Sequence, residues 1–486
     1  MVIKKLHLSY FSEYFVALNA KSIVIEKEYV DHDYLEDYAA YYVRCFERYE
    51  RYTKRLHFFS IDFSEQQFRE CLFNPASQIN QELLQEHYIG FVVVKPLPQT
   101  VIGRTCLKTY SSDNGRREFP ILREFAVNLF GLNLKINSLA YQEQDTVVAA
   151  CATSALWSCF QGSGKLFQHS IPSPVEITKA ATRHVPENLP ANSARALPNA
   201  GLTATQMAIA VRDVGLEPYI IGTPNSYVLN STLYAYLRCR IPSILTFKLV
   251  EVLDENNRIM GLHAVTVTGF SVGRNTPEPF SNGCFLLHSS RIDKLYAHDD
   301  QVGPFARMVW TQSKNSESYL ETSWSGNGIV EAHPIFLMIP LYHKIRIPFE
   351  IIHDAIYLVD MILESGRQKL YPSLQRPEWD IYLTTVSEFK SDFLHSMRPI
   401  LGAQVEKTLT AALPRFLWRV TARCGEEYHL DLLFDATGIA QQKLLVHAIE
   451  VKPEIPTLIS MFASHVKDKI DDIQAVAIFD WFSGTH

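Results

Sequence analysis

Between residues 149 and 298 helix signals come first and strand signals follow, an order that excludes a doubly wound parallel sheet. The stretch 149–160 is rich in small residues and reads as a helix. Thr203 and Gln206 have capping-box spacing, so a helix is expected to start there and run to about 214, where Gly215 stops it. Strands are expected at 217–221, 244–252, 260–270, 284–288 and 295–298, with a short helix at 233–240. The runs 244–252 and 260–270 flank a polar turn at 254–258 and read as a hairpin. Helices followed by antiparallel strands make an α+β arrangement.

A chain of 486 residues exceeds what one core usually supports, so two or three domains are expected. The expected division is an N-terminal mixed α/β region at 1–135, a second unit at 136–345 and a C-terminal α/β region at 346–486. The first region carries a Tyr-rich helix at 34–52, a strand at 88–95 and a short element at 121–130. The second includes a proline-rich covering segment at 170–198. The third carries a helix at 349–363 and strands at 415–423, 428–434 and 446–451, with no recognisable chemical motif.

Charge narrows the partners. The net charge is −6 and no Lys/Arg block is present, so no nucleic acid is expected. No run of about 18 apolar residues exists, so no membrane span is expected. The first residues lack the apolar core of an export signal, which makes the cytoplasm the expected location. The eight cysteines never form CxxC, which fits free thiols in a reducing compartment. No metal and no cofactor is expected: His298 beside Asp299 lacks a paired ligand spacing, and the GSGK at 162–165 lacks phosphate-loop spacing and reads as a turn.

Three segments carry chemistry. Cys151 stands in QEQDTVVAACATSALW (142–157), at the expected start of a helix. Unpaired N–H groups and the helix dipole at such a start stabilise a thiolate and can hold an oxyanion. The small neighbours Ala149, Ala150 and Ala152 leave room for a substrate backbone. Gln144 or Gln142 can supply a side-chain amide as a second oxyanion donor. By itself the segment also fits a buried helix with Cys151 as a small core residue. The second segment, GLHAVTVTGF (261–270), alternates as a strand with His263 at its start. A histidine held there can take a thiol proton and return it to a leaving group, although a strand histidine can equally be structural. The third, KLYAHDDQVGP (294–304), brings Asp299 and Asp300 to a tight turn. Either acid can accept a hydrogen bond from the far nitrogen of His263; a solvated turn is the plainer reading.

In this chain order the three segments resemble the papain-like cysteine peptidase superfamily, more specifically the C39-like peptidases. That family has a Cys at a helix head, a His-x-Val-x-Val-x-Gly-aromatic strand, and an Asp closing a later strand. The resemblance covers about residues 136–345. Asp145 stands six residues before Cys151, where the family usually has its oxyanion Gln; Ala152 replaces a frequent Gly, and Asp300 replaces a frequent Pro.

The resemblance implies a papain-like core flanked by N- and C-terminal mixed α/β regions. It implies Cys151 as nucleophile, His263 as base and Asp299 as orienting acid, with Asp300 as the alternative acid and Gln144 as the oxyanion candidate. The implied activity is hydrolysis of a peptide or isopeptide bond through an acyl-thioester, needing no cofactor or metal. The implied partners are a protein or peptide substrate and a regulatory protein bound through a flanking region. Two alternatives share the chain order: a transglutaminase-like or phytochelatin-synthase-like acyl transferase, and a non-catalytic papain-like protein-binding module.

Overall fold

The computed structural model describes residues 6–484 except 75–76, 146, 149, 184–196, 198–200, 253–256, 274–276, 278, 281–284, 313–317, 324–329, 397–401, 403 and 467–468. Most of the expected turn at 254–258, much of the covering segment 170–198, Ala149 and Cys284 lie outside the described residues. The chain is mixed α+β. It divides into two compact units: Met1–Pro224 with Arg240–Ser271 and Asp293–Leu341, and Asn225–Cys239 with Val272–Ile292 and Tyr342–His486.

The first unit is built around an antiparallel barrel of six strands. In spatial order these are Ile292–Asp299, Gly303–Gln312, Ser318–Glu321, Val330–Leu341, Ser243–Glu251 and Arg258–Val272, and pairing of the last strand with the first closes the ring. Closure is what brings the His263 strand beside the Asp299 strand. The 244–252 and 260–270 expectations match the observed strands to within a few residues, with His263 opposite Phe247.

The helix Cys151–Phe167 packs against the barrel, and the Thr266 hydroxyl donates to the Ala155 carbonyl at 2.5 Å. Its Ala152, Ala155, Leu156 and Phe160 share one hydrophobic core with Ile244, Ala264 and Met338 of the barrel. The turn expected at 162–165 is instead helix. Gly164 is needed there because a Cβ would meet Ile171 at 2.7 Å. The capping box is present, with the Thr203 hydroxyl accepting from Gln206 N and the Gln206 amide oxygen accepting from Thr203 N.

The expected boundary at 135/136 does not separate two cores. A four-stranded antiparallel sheet (Ser22–Tyr29, Thr53–Phe59, Tyr88–Val94, Ile102–Leu107) contributes Phe59, Tyr88, Phe91, Val93 and Cys106 to the core that also holds the Cys151 helix. The apolar faces of these elements cover one another, so N-terminal residues are structural parts of the same body. The helix expected at 34–52 is also shorter. It spans His32–Ala40, capped by Asp31, and gives way at Tyr41 to a 3₁₀ turn, Tyr42–Arg44.

The second unit takes two earlier stretches of chain in addition to the expected 346–486. Its sheet runs Pro279–Phe280, Phe285–Leu287, Glu378–Thr385, Phe416–Cys424, Glu427–Asp435, Leu445–Glu450. One neighbour pair, Phe285–Leu287 with Glu378–Thr385, is parallel. The helix expected at 233–240 starts earlier, Ser226–Leu237, because the Asn225 side chain caps Val228 N. The helix expected at 349–363 extends to Leu370. No helix among the described residues is long and apolar enough to cross a membrane.

Candidate active site

Cys151 is the first residue of its helix. Ala150 before it is extended, no side chain caps the helix start, and no acidic residue stands in the first turn. The first N–H groups therefore face the thiol's surroundings without an anionic neighbour from their own helix. Cys151 is half-buried, whereas Cys71, Cys106, Cys159, Cys239 and Cys424 are buried free thiols. Burial pushes the Cys106 and Cys424 thiols up to about 12 and the Cys159 thiol, two turns along the same helix, well above its ordinary value. Those thiols are core residues held neutral.

The Cys151 thiol stands within hydrogen-bonding reach of His263 and favours its protonated ring. His263 Nε2 lies 3.0 Å from Asp299 Oδ1, so the ring nitrogen left for the thiol is Nδ1. The Phe247 ring packs edge-on against the imidazole at 5.4 Å. Burial opposes the imidazolium, but the Asp299 charge and hydrogen bond, the Cys151 hydrogen bond and the Asp300 charge outweigh it. Together they hold His263 well above its ordinary value.

The two acids differ. Asp299 Oδ1 accepts from both His263 Nε2 and Gln301 N, each at 3.0 Å. Asp300 Oδ1 is 3.5 Å from His263 Nε2 and has no hydrogen-bond partner among the described residues, while Oδ2 accepts from Gln301 Nε2 at 3.1 Å. Burial, with the Asp299 charge adding to it against the pull of His263, pushes the Asp300 carboxyl up to about 7.

A raised carboxyl binds its proton more tightly in the folded chain than in the unfolded one, where Asp titrates near about 3.9. Its contribution to stability is thus intact below about 4 and is lost as pH rises to about 7. Asp300→Asn is expected to flatten that decline. The difference in urea midpoint between variant and wild type should move in favour of the variant across pH 4–7 and level off above it. A difference independent of pH would contradict the assignment.

The turn carrying these acids is held by the N-terminal helix His7–Ala17 and the residue before it. Leu6 N donates to Gln301 O at 3.0 Å, His7 Nε2 donates to Asp300 O at 3.0 Å, and the Tyr10 hydroxyl donates to Pro304 O at 2.5 Å. Gly303 has φ +156°, and a Cβ there would fall 2.3 Å from the Tyr10 ring. No local pattern at His7 or Tyr10 signals this role, since their partners lie about 290 residues away in the chain.

His298 is not placed as a ligand. Its Nδ1 accepts from Phe305 N at 3.1 Å, so Nε2 carries the proton and donates to Leu139 O at 3.0 Å. Burial lowers it to about 3, and it is a neutral structural histidine. Ligand atoms of His263, Asp299 and Asp300 do converge within 4.8 Å of one another. However, the His263–Asp299 separation of 3.0 Å is that of a direct hydrogen bond; two ligands bound at about 2.1 Å to one tetrahedral cation would stand further apart.

Gln144 is half-buried. Gln142 is buried, and its Nε2 is a donor without a hydrogen-bond partner among the described residues. Tyr141 bridges to Thr105, and Glu143 N donates to Ile102 O, so this stretch runs beside the strand Ile102–Leu107. Tyr141 and Glu143 both reach His7. Gln142 between them points to the opposite side, as alternate residues of extended chain do.

No protein-family model matches the chain, and no curated protein matches it in sequence.

Proposed function

We propose that the protein is a papain-like cysteine hydrolase that cleaves a peptide or isopeptide bond. The observation that carries the reading is the position of His263, whose Nε2 is bonded to the Asp299 carboxylate and whose ring stands within hydrogen-bonding reach of the Cys151 thiol. A thiol at an uncapped helix start and a base on the facing barrel strand support it.

In this mechanism His263 takes the Cys151 proton, and the thiolate attacks the substrate carbonyl carbon. The oxyanion is held by N–H groups of the helix start. Gln142, with its unengaged buried amide, is a better second donor than Gln144. The imidazolium, kept charged and oriented by Asp299, donates its proton to the leaving amine as the C–N bond breaks. Water, deprotonated by His263, then attacks the acyl-thioester, and the acid product and the free thiol are released.

The test is cleavage of a peptide library by the full chain in H₂¹⁸O, read by mass spectrometry, with and without a primary amine. Hydrolysis labels the new carboxyl with ¹⁸O and disappears in Cys151→Ala. Amine adducts formed in preference to ¹⁸O product would replace hydrolysis by acyl transfer. No Cys151-dependent product, together with a Cys151 thiol no more reactive toward iodoacetamide than in the unfolded chain, would leave a binding module as the function.

A further inference from the structure

Six residues before Cys151 stands a carboxylate, Asp145, and it is buried. Its Oδ1 accepts from Val147 N at 2.9 Å and Val148 N at 2.5 Å, while Oδ2 accepts from the Tyr42 hydroxyl at 2.7 Å. The Val148 carbonyl is held as well, by the Thr178 hydroxyl at 2.7 Å. Thr178 belongs to the helix Pro174–Ala181, whose Val175 N donates to Asp37 Oδ1 at 3.2 Å. Asp37 and Tyr42 lie five residues apart in the N-terminal part of the chain. The bonds thus form a closed circuit around the loop that ends at Cys151.

We propose that Asp145 and Tyr42 are positioning residues for Cys151, with Asp145 holding the backbone at Val147 and Val148 and Tyr42 fixing Asp145. The proposal rests on the hydrolase reading and adds a role for the N-terminal segment within it. Val148, three residues before the thiol, is pinned at both N–H and C=O, so the helix start has little freedom to shift. The thiol and His263 come from elements with no covalent tie between them nearer than 112 positions in sequence. Their mutual distance therefore depends on where the loop sets the helix start. Val147 N, Val148 N and the Tyr42 hydroxyl thus converge on one buried carboxylate. Burial first, and then the nearby Asp145, hold the Asp37 carboxyl well above the usual range. Lys95, Asp33 and the backbone N–H of Val175 are the other groups acting on Asp37.

The test reads thiol placement directly, without a substrate. Full-length protein is alkylated with iodoacetamide from pH 5 to 9, and the label on Cys151 is followed by peptide mass spectrometry against the same thiol in urea. Wild type is expected to react faster than the unfolded chain at pH 6. Tyr42→Phe and Asp145→Ala should slow Cys151 about ten-fold at that pH and move the reaction profile to higher pH, because a thiol displaced by a fraction of an ångström loses its base. Asp145→Asn should recover most of the rate: its amide oxygen still accepts from Val147 and Val148, and its amide N–H can donate to the Tyr42 oxygen. Tyr42→Phe removes one hydroxyl only, so it carries the test if Asp145→Ala does not fold. A fast wild type with Tyr42→Phe equally fast, and Asp145→Ala equally fast where it folds, would overturn the positioning role and leave the hydrolase reading standing. A wild type no faster than the unfolded chain sinks both.

Discussion

Replacing Cys151 by Ala is expected to lower kcat/KM on a cleaved peptide by about a thousand-fold or more, with a melting temperature close to that of wild type. In the proposed mechanism the Cys151 thiol supplies the covalent step, and removing such a group usually leaves only the catalysis that binding and oxyanion contacts provide. The fold should tolerate the change because it removes one sulfur atom from a half-buried position at a helix end. His263→Ala should cost about as much, and the double variant should be no worse than either single one. In the proposed mechanism the two side chains act as a unit, and they stand within hydrogen-bonding reach of each other. Losses that multiply in the double variant would mean that Cys151 and His263 contribute separately. Asp299→Asn tests a different property. It preserves the size of the acid but removes the charge that favours imidazolium, so the pH profile should move while binding is largely retained.

The second large effect concerns stability rather than chemistry. Asp431→Ala is expected to destabilise the second unit by about 3–5 kcal/mol in urea unfolding. Asp431 is fully buried, and its carboxylate accepts from Arg419 Nε at 3.0 Å and Nη2 at 2.8 Å. Arg419 is itself buried, with Nη1 donating to the Tyr382 hydroxyl at 3.0 Å and to Asp392 at 2.5 Å. Truncating Asp431 strands a guanidinium in the sheet with only Asp392, half-exposed at the edge, to balance it. Arg419→Met combined with Asp431→Leu should restore much of the loss, since a buried ion pair rarely outperforms apolar residues of similar volume. A single variant that loses less than about 1 kcal/mol would show that water reaches Arg419.

The elements that matter most for the site were legible because their signals are local. The alternation at 260–270 is a period-two pattern, and the observed strand Arg258–Val272 contains it. The Thr203 and Gln206 spacing is a capping box in both sequence and structure. Misreadings occurred where a distant partner overrides a local cue. The glycines at 162 and 164 look like a turn, yet they allow a buried helix to pass Pro242 and Ile171. The Tyr-rich run from 34 looks helical throughout, yet it breaks at Tyr41 and places the Tyr42 hydroxyl on a carboxylate 103 residues away.

For the candidate site, local pattern alone settles residue types and their order: a cysteine at a helix head, a histidine on an alternating strand and paired acids at a turn. Side-chain periodicity and helix-start chemistry depend on neighbours a few positions apart, so they can be read without knowing the fold. Only the tertiary structure decided that His263 bonds Asp299 and merely approaches Asp300, that His298 is a neutral core residue, and that N-terminal residues hold both the acid turn and the loop before Cys151. These outcomes follow from barrel closure and from hydrogen bonds that span 36 to 293 residues. Such contacts are set by which buried donors and acceptors the packed core leaves opposite one another, and a local pattern carries no record of that choice.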